Sequence, residues 1–313
     1  MRIWASLIGA ASALVVGSAV TVPLAREPIP PRPPASAQAR KPSQTKKPVP
    51  APPMPPPLLP SHRIVAYYGN PLDPRMGVLG QGTPQEMLAR LSQQAAAYQA
   101  LDPTHPVVKA LELVAAVAQA SPGPNGTYSL LMPASLIESE LKLARSANAL
   151  LILDIQVGHN SVASEVAYLE PFLKQPDVEL ALDPEFDMNQ IPGGVPGKEF
   201  GSMTAGEING AIAVLHQLVV KDHLPPKILI VHQFLPTMVL DWQNIRPLPG
   251  VSFIMDTDGF GNPALKIANY HAFITNQPIG YGGIKLFYTQ DTPVMSPAQV
   301  LALQPSPLLV IYQ

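Results

Sequence analysis

The sequence predicts an α/β protein whose main domain is a (β/α)8 barrel of the TIM type. Three observations support this class. Eight short apolar runs alternate with helical patterns after residue 61, the alternation extends over about 250 residues, and four of the helical patterns begin with a capping sequence. A doubly wound open α/β sheet is the alternative, but such sheets often carry a G-x-G-x-x-G loop, which this sequence lacks.

The amino-terminal segment 1–25 predicts export. It carries a single charged residue, Arg2, followed by an uncharged and largely apolar stretch over 3–24. Gly17 and Ala19 provide the small residues of a signal-peptide cleavage site. An uncleaved membrane anchor is the alternative, because a stretch of this length can cross a hydrocarbon core of ~30 Å. Both outcomes place the rest of the chain outside the cytoplasm, secreted or tethered to the membrane or cell wall.

The next segment, 26–60, predicts a linker. Prolines make up 14 of its 35 residues, and six Lys or Arg residues stand against one acid. Proline lacks the backbone N–H and clashes with a preceding helical turn, so helices and central strands are excluded here. We expect a polyproline-II-rich spacer at ~3.1 Å per residue. A disordered linker with no function beyond connection is the alternative.

The remaining segment, 61–313, is acidic and is predicted to be one domain. It holds 13 Lys or Arg and 21 Asp or Glu, since the first 60 residues take 7 of the 20 bases and 1 of the 22 acids. Nucleic-acid binding requires clustered positive charge, so this partner class is excluded. The absence of cysteine excludes disulfides and thiolate-bound zinc. We expect a monomer.

The eight strands are predicted from apolar runs bounded by turn residues. The second is the least secure, because its spacing also fits a helix. The predicted strands are 64–68, 111–118, 149–155, 178–182, 228–232, 251–255, 284–288 and 308–312.

Helix starts are predicted at four capping sequences, Thr83 to Glu86, Ser135 to Glu138, Thr204 to Glu207 and Ser296 to Gln299. Because the eighth strand would reach almost to residue 313, the last helix of the barrel is expected to be missing.

Polar residues recur where the predicted strands end, and in a (β/α)8 barrel those ends form the active-site face. Side chains alternate along a strand, so placing the small Ala181 inside the barrel also places Asp183 and Glu185 at its mouth. Converging carboxylates repel one another and lose water, which raises some pKa values and can separate a proton donor from an ionised partner. The predicted catalytic residues are Asp154, Asp183, Glu185, Asp256 and Asp258.

Asp183-x-Glu185 at the end of the fourth strand resembles the D-x-E element of family 18 chitinases and family 25 lysozymes. The resemblance implies a glycoside hydrolase in which Glu185 is the proton donor and Asp183 orients or stabilises the reacting sugar. It covers only this strand and the barrel order. The longer D-x-x-D-x-D-x-E motif of family 18 would need acids where the chain has Val178 and Ala181.

The predicted function is therefore a glycosidase-like hydrolase acting on cell-envelope or extracellular carbohydrate, with no cofactor assigned. A barrel that binds an envelope glycan or protein without catalysis is one alternative. A metal-dependent hydrolase is another, because the same acids and His232 are hard-cation or zinc ligands, although no H-x-H or H-E-x-x-H spacing occurs. The predicted substrate-binding residues are Tyr67, Gln156, His232, Gln233, Lys285, Tyr288 and Tyr312.

Overall fold

The structure of the protein, a computed structural model, describes residues 55–313. Eight parallel strands close into a barrel in the order β1-β2-β4-β5-β7-β9-β10-β11, with β11 paired back to β1. The predicted (β/α)8 fold is therefore confirmed. The strands are β1 (Arg63–Gly69), β2 (Val107–Ala118), β3 (Ser129–Leu131), β4 (Ala149–Ile155), β5 (Val178–Leu182), β6 (Met203–Thr204), β7 (Lys227–Gln233), β8 (Val239–Leu240), β9 (Val251–Thr257), β10 (Tyr281–Leu286) and β11 (Leu309–Tyr312).

Three strands lie outside the barrel wall. β3 pairs antiparallel with the end of β2, while β6 and β8 form a separate two-stranded sheet. Each predicted barrel strand coincides with an observed one. The largest differences are in β2, which begins four residues earlier than predicted, and in β10, which begins three residues earlier. In β10 the reason is that Gly282 and Gly283, residues that disfavour a strand assignment, belong to the strand.

Within residues 55–313, six α-helices follow the strands, with gaps in the regular alternation. Between β7 and β9 there is a short 3-10 turn, Trp242–Asn244, in place of an α-helix. Among the described residues, no helix follows β11, as expected. Within 55–313 no helix combines the length and the apolar character needed to span a membrane. The helices are α1 (Pro84–Leu101), α2 (Ala134–Ser146), α3 (Val162–Leu173), α4 (Ala205–Asp222), α5 (Pro263–Tyr270) and α6 (Pro297–Leu301).

The capping sequences set three of the four predicted helix starts. Thr83, Thr204 and Ser296 accept the backbone N–H three residues on, and the Glu or Gln at that position bonds back to the cap. The prediction for Ser135 is wrong. α2 begins two residues earlier than a capping Ser135 would require, after Pro133, so Ser135 lies inside the first turn and caps nothing.

The apolar core has two layers, one inside the barrel and one between the barrel and the helices. Inward and outward residues alternate along each strand, as in β1, where Ala66 belongs to the inner layer and Val65 to the outer. Leu59, from the segment before β1, joins the inner layer and is fully buried, together with Leu309 near the start of β11. The end of the barrel interior where the strands begin, its lower end, is therefore closed mainly by apolar side chains, and the buried Glu179 accepts the Ile228 N–H there at 2.6 Å.

Candidate functional site

The end of the barrel interior where the strands finish is polar, in contrast to the mainly apolar interior at the other end. The inward alternation continues from Ile152 to Asp154 on β4, from Ala181 on β5 to Asp183 just after it, and correspondingly on β7, β9 and β10. The structure thus brings together nine buried side chains, called here the mouth cluster: Tyr68, Glu112, Asp154, Asp183, Glu185, His232, Asp256, Asp258 and Lys285.

The five predicted catalytic acids all belong to the mouth cluster. Asp183 directly follows β5, and Pro184 starts a 3-10 turn, Pro184–Phe186, that carries Glu185. The backbone of this turn is fixed by the N–H of Phe186 bonding to Asp183 O at 3.3 Å and by the N–H of Gly201 bonding to Glu185 O at 2.6 Å. The Glu185 side chain makes no hydrogen bond to any other residue in 55–313.

His232 forms a bridge between two acids inside the barrel. Its Nδ1 lies 3.1 Å from Asp256 Oδ2, and its Nε2 lies 3.1 Å from Glu112 Oε1. Burial by itself lowers the pKa of His232, but hydrogen bonds to these two carboxylates outweigh it and raise that pKa well above its usual value.

Lys285 is the second cation of the mouth cluster. Its Nζ forms an ion pair with Asp258 at 3.3 Å and lies 3.5 Å from the centroid of the Tyr68 ring. Burial lowers the pKa of Lys285, yet the surrounding carboxylates, with Asp258 the largest contributor, raise it overall. Tyr68 in turn donates its hydroxyl to Asp154 Oδ2 at 3.0 Å.

Four carboxyl groups of the mouth cluster, those of Asp154, Asp183, Glu185 and Asp256, resist ionisation. Desolvation is the main cause and neighbouring carboxylates add to it, which raises the pKa of Asp154 to about 6 and that of Asp183 to about 8. The pKa of Glu185 is raised well above its usual value for the same reasons, with Asp183 the largest charged contributor. The pKa of Asp256 is also raised by burial. At neutral pH, Asp183 therefore holds a proton most of the time, and the pKa of Glu185 is shifted in the same direction.

Several buried carboxylate oxygens of the mouth cluster have no hydrogen-bond partner in the described chain. They are Glu112 Oε2, Asp154 Oδ1, Asp183 Oδ1 and Asp256 Oδ1. Gly283 lies directly against one of these oxygens, since a Cβ at that position would lie 2.6 Å from Asp256 Oδ1. Unpartnered acceptors in a buried site indicate that a donor or cation belongs there.

The predicted substrate-binding residues divide between two places. His232, Lys285 and Gln156 lie in or beside the mouth cluster, with Gln156 donating to the Tyr68 hydroxyl at 3.2 Å. Gln233 lies beside His232 at the end of β7, where alternation turns it to the outer side of the strand, and it donates to Leu235 O.

Tyr67, Tyr288 and Tyr312 lie away from the mouth cluster, on the helix side of the barrel wall. The rings of Tyr288 and Tyr312 stack with centroids 5.1 Å apart, and the Tyr67 and Tyr288 hydroxyls are 3.2 Å apart. Tyr67 and Tyr288 line a separate cavity of about 610 Å³ with Arg90 and Gln94 of α1.

Sequence reasoning missed two members of the mouth cluster, Glu112 and Tyr68. Glu112 is the one charged residue between Leu111 and Ala118, and its burial in an apolar strand was the signal available. For β1, the small residue Ala66 marks the interior face as Ala181 does on β5, and it places Tyr68 inside in preference to Tyr67.

Comparison with known proteins adds a general likeness of shape. No protein-family profile matches the chain, and no curated protein matches its sequence. The spore coat polysaccharide biosynthesis protein spsE from Bacillus subtilis is similar over 80% of this chain, with 10% identity and a TM-score of 0.46, and the chain spans 59% of its length.

Two glycoside hydrolases are similar to a lesser degree. A ruminal GH26 endo-beta-1,4-mannanase has 9% identity and a TM-score of 0.36, over 80% of this chain and 58% of its own. A GH18 chitinase from Pseudoalteromonas aurantia has 10% identity and a TM-score of 0.33, over 80% of this chain and 93% of its own. Likeness at this level says nothing of activity, so the functional argument rests on the side chains. Fold and site together define a (β/α)8-barrel protein with a buried, acid-rich mouth.

Proposed function

We propose that the protein is a glycosidase-like hydrolase of cell-envelope or extracellular carbohydrate. In this proposal Glu185 gives a proton to the leaving oxygen, and Asp258 supplies the carboxylate that acts as nucleophile or base. Glycoside hydrolysis requires this combination of one protonated and one ionised carboxyl group. Asp183, Asp154 and Asp256 then act on the electrostatics and positioning of those two groups and of the substrate.

The observation that carries the proposal is the contrast between Glu185 and Asp258. The pKa of Glu185 is raised by burial and by Asp183, and its side chain has no hydrogen-bond partner within 55–313, so its proton is available for transfer. Asp258 is ion-paired with Lys285 and has His232 Nδ1 at 3.7 Å. They are 6% and 7% exposed, the largest values in the mouth cluster, and are therefore the members that a substrate reaches first.

The proposal also includes export of the protein from the cytoplasm. The leader in 1–25 lies outside the described residues, as does the linker in 26–60 except for residues 55–60. Both segments support a position outside the cytoplasm, where envelope polysaccharides are found. Separation of a producing culture into cytoplasmic, membrane and medium fractions tests this part. Recovery of the full chain in the cytoplasm alone would contradict it.

The catalytic roles are tested by comparing substrates whose leaving groups differ in basicity. For aryl glycosides with a poor leaving group, Glu185→Gln should lower kcat by about 10²- to 10⁴-fold, the usual contribution of a general acid. With a dinitrophenyl leaving group, which departs without protonation, the loss should be much smaller. Asp258→Asn should lower the rate with both substrates, because the second carboxylate acts on the sugar itself.

Glu140→Gln is the matched control. Glu140 lies on α2 and, like Glu185, is a buried carboxyl group, its pKa raised by burial to about 7. Its variant should hydrolyse the same substrates at the wild-type rate. Equal rates for Glu185→Gln and wild type with the poor leaving group would remove Glu185 from the mechanism. Saturable glycan binding without turnover would favour the non-catalytic binding barrel.

A further inference from the structure

We propose that the protein binds one divalent transition-metal ion of the zinc class inside the barrel, held by Glu112, Asp154 and His232. One ligand atom from each of these residues lies within 4.8 Å of the other two, and all three side chains are fully buried. They come from β2, β4 and β7, so no local sequence motif marks the site. The inference does not depend on glycoside hydrolysis, which was argued from Glu185 and Asp258.

The hydrogen bonding of His232 leaves one ring nitrogen for a metal. Nδ1 faces Asp256 Oδ2 at 3.1 Å, and because a carboxylate only accepts, this nitrogen carries the hydrogen. In the neutral ring, Nε2 then has a lone pair, and it faces Glu112 Oε1, another acceptor, at 3.1 Å. A proton or a cation must lie between these two atoms. A carboxylate that holds the far side of a metal-bound imidazole is the usual outer partner in such sites.

The unpartnered oxygens favour a metal over a proton at this position. A proton on Nε2 bonds to one oxygen of Glu112 and leaves Glu112 Oε2 and Asp154 Oδ1 buried without a partner. Leaving a buried acceptor unsatisfied costs about 1–3 kcal/mol, and more for a charged group. A metal ion coordinated by all three side chains neutralises both carboxylates.

The charge of the mouth cluster leads to the same conclusion. Six carboxyl groups face two cations, and one of those cations, Lys285, is ion-paired with Asp258. Three of the remaining acids lie around His232: Glu112, Asp154 and Asp256. A divalent ion supplies two positive charges at the centre of this group, whereas protonation of His232 supplies one.

The ligand types select the class of metal. One imidazole nitrogen with two carboxylates suits Zn²⁺, Co²⁺, Mn²⁺ or Fe²⁺, while Mg²⁺ and Ca²⁺ prefer oxygen alone. Three protein ligands also leave a coordination position for water or another small ligand, as in catalytic rather than structural zinc sites.

Metal uptake by the purified full chain tests the proposal. The chain is stripped with a chelator, reloaded with Zn²⁺ or Co²⁺, desalted and analysed for metal content. We expect one ion per chain and, with Co²⁺, a visible absorption spectrum altered in His232→Gln. No retained ion after reloading would overturn the proposal, and this result needs no variant.

Variants locate the ion by a graded loss of affinity. Asp256→Asn, which removes the outer partner, should weaken Zn²⁺ binding by about 10- to 100-fold, and Glu112→Gln should weaken it further because it removes a ligand. Asp183→Asn, in the same mouth but outside the ligand set, should bind as wild type does. Equal losses in Asp183→Asn and Glu112→Gln, or wild-type affinity in folded Glu112→Gln, would overturn the assignment. Circular dichroism establishes folding, and Asp154→Asn provides a second ligand variant.

Discussion

Replacing Lys285 with methionine should destabilise the folded chain, because this change removes a buried cation from among carboxylates. The Lys285 side chain is buried and forms the ion pair with Asp258 at 3.3 Å. Its Nζ also lies 3.5 Å from the centroid of the Tyr68 ring. Removing one partner of a buried ion pair costs about 3–5 kcal/mol, since the other charge is left uncompensated. Methionine keeps much of the length and apolar volume of lysine, so the loss reports mainly on the charge.

Thermal and urea denaturation at pH 7 measure this effect. For a domain of this size, about 3–5 kcal/mol corresponds to a fall in Tm of about 6–20 °C. Lys174→Met is the control, because Lys174 forms an exposed ion pair with Glu170 on α3 and should lose less than about 1 kcal/mol. The double variant Lys285→Met with Asp258→Asn should recover part of the loss. A cost below about 1 kcal/mol for Lys285→Met would refute the view that this charge holds the mouth cluster together.

Three further outcomes are expected. The pKa values of Asp183 and Asp154 are raised to about 8 and about 6, so the folded chain keeps protons that the unfolded chain releases. The free energy of unfolding should therefore fall as pH rises from about 4 to about 8, and Asp183→Asn should flatten this slope in urea titrations at several pH values. Gly283→Ala should cost about 1–3 kcal/mol in the same assay, because its Cβ would lie 2.6 Å from Asp256 Oδ1. Tyr288→Ala should raise KM for a long glycan and leave kcat unchanged, since Tyr288 is 40% exposed and, in the described chain, makes no hydrogen bond or ring contact with a member of the mouth cluster.

The barrel could be predicted from the sequence because its strands are short apolar runs with clear boundaries. β4 and β5 match their predictions residue for residue, since turn residues and capping sequences lie on both sides. The small residue Ala181 indicated which face of β5 is interior, and Asp183 followed from it. Period-two alternation therefore carried information about the site as well as about the fold.

The remainder of the site depends on contacts between distant strands. The pairing of His232 with Glu112 joins residues 120 positions apart, and no local pattern encodes it. Tyr67 and Tyr68 are adjacent and point to opposite faces of β1. An error of one residue in the assumed face therefore assigns the wrong tyrosine to the interior. No local pattern indicated that the helix between β7 and β9 would be absent. In the structure, the 3-10 turn at Trp242–Asn244 lies in that stretch of chain.

The apolar closure of the lower barrel end gives the domain a direction. Leu59 enters the interior from below, at the end where the parallel strands begin, while the mouth cluster lies where they finish. The segment from residue 55 to β1 thus enters the domain at the end opposite its acids. Under the proposed function, a tether ahead of this segment would hold the closed end, and the end that carries the acids would face the carbohydrate.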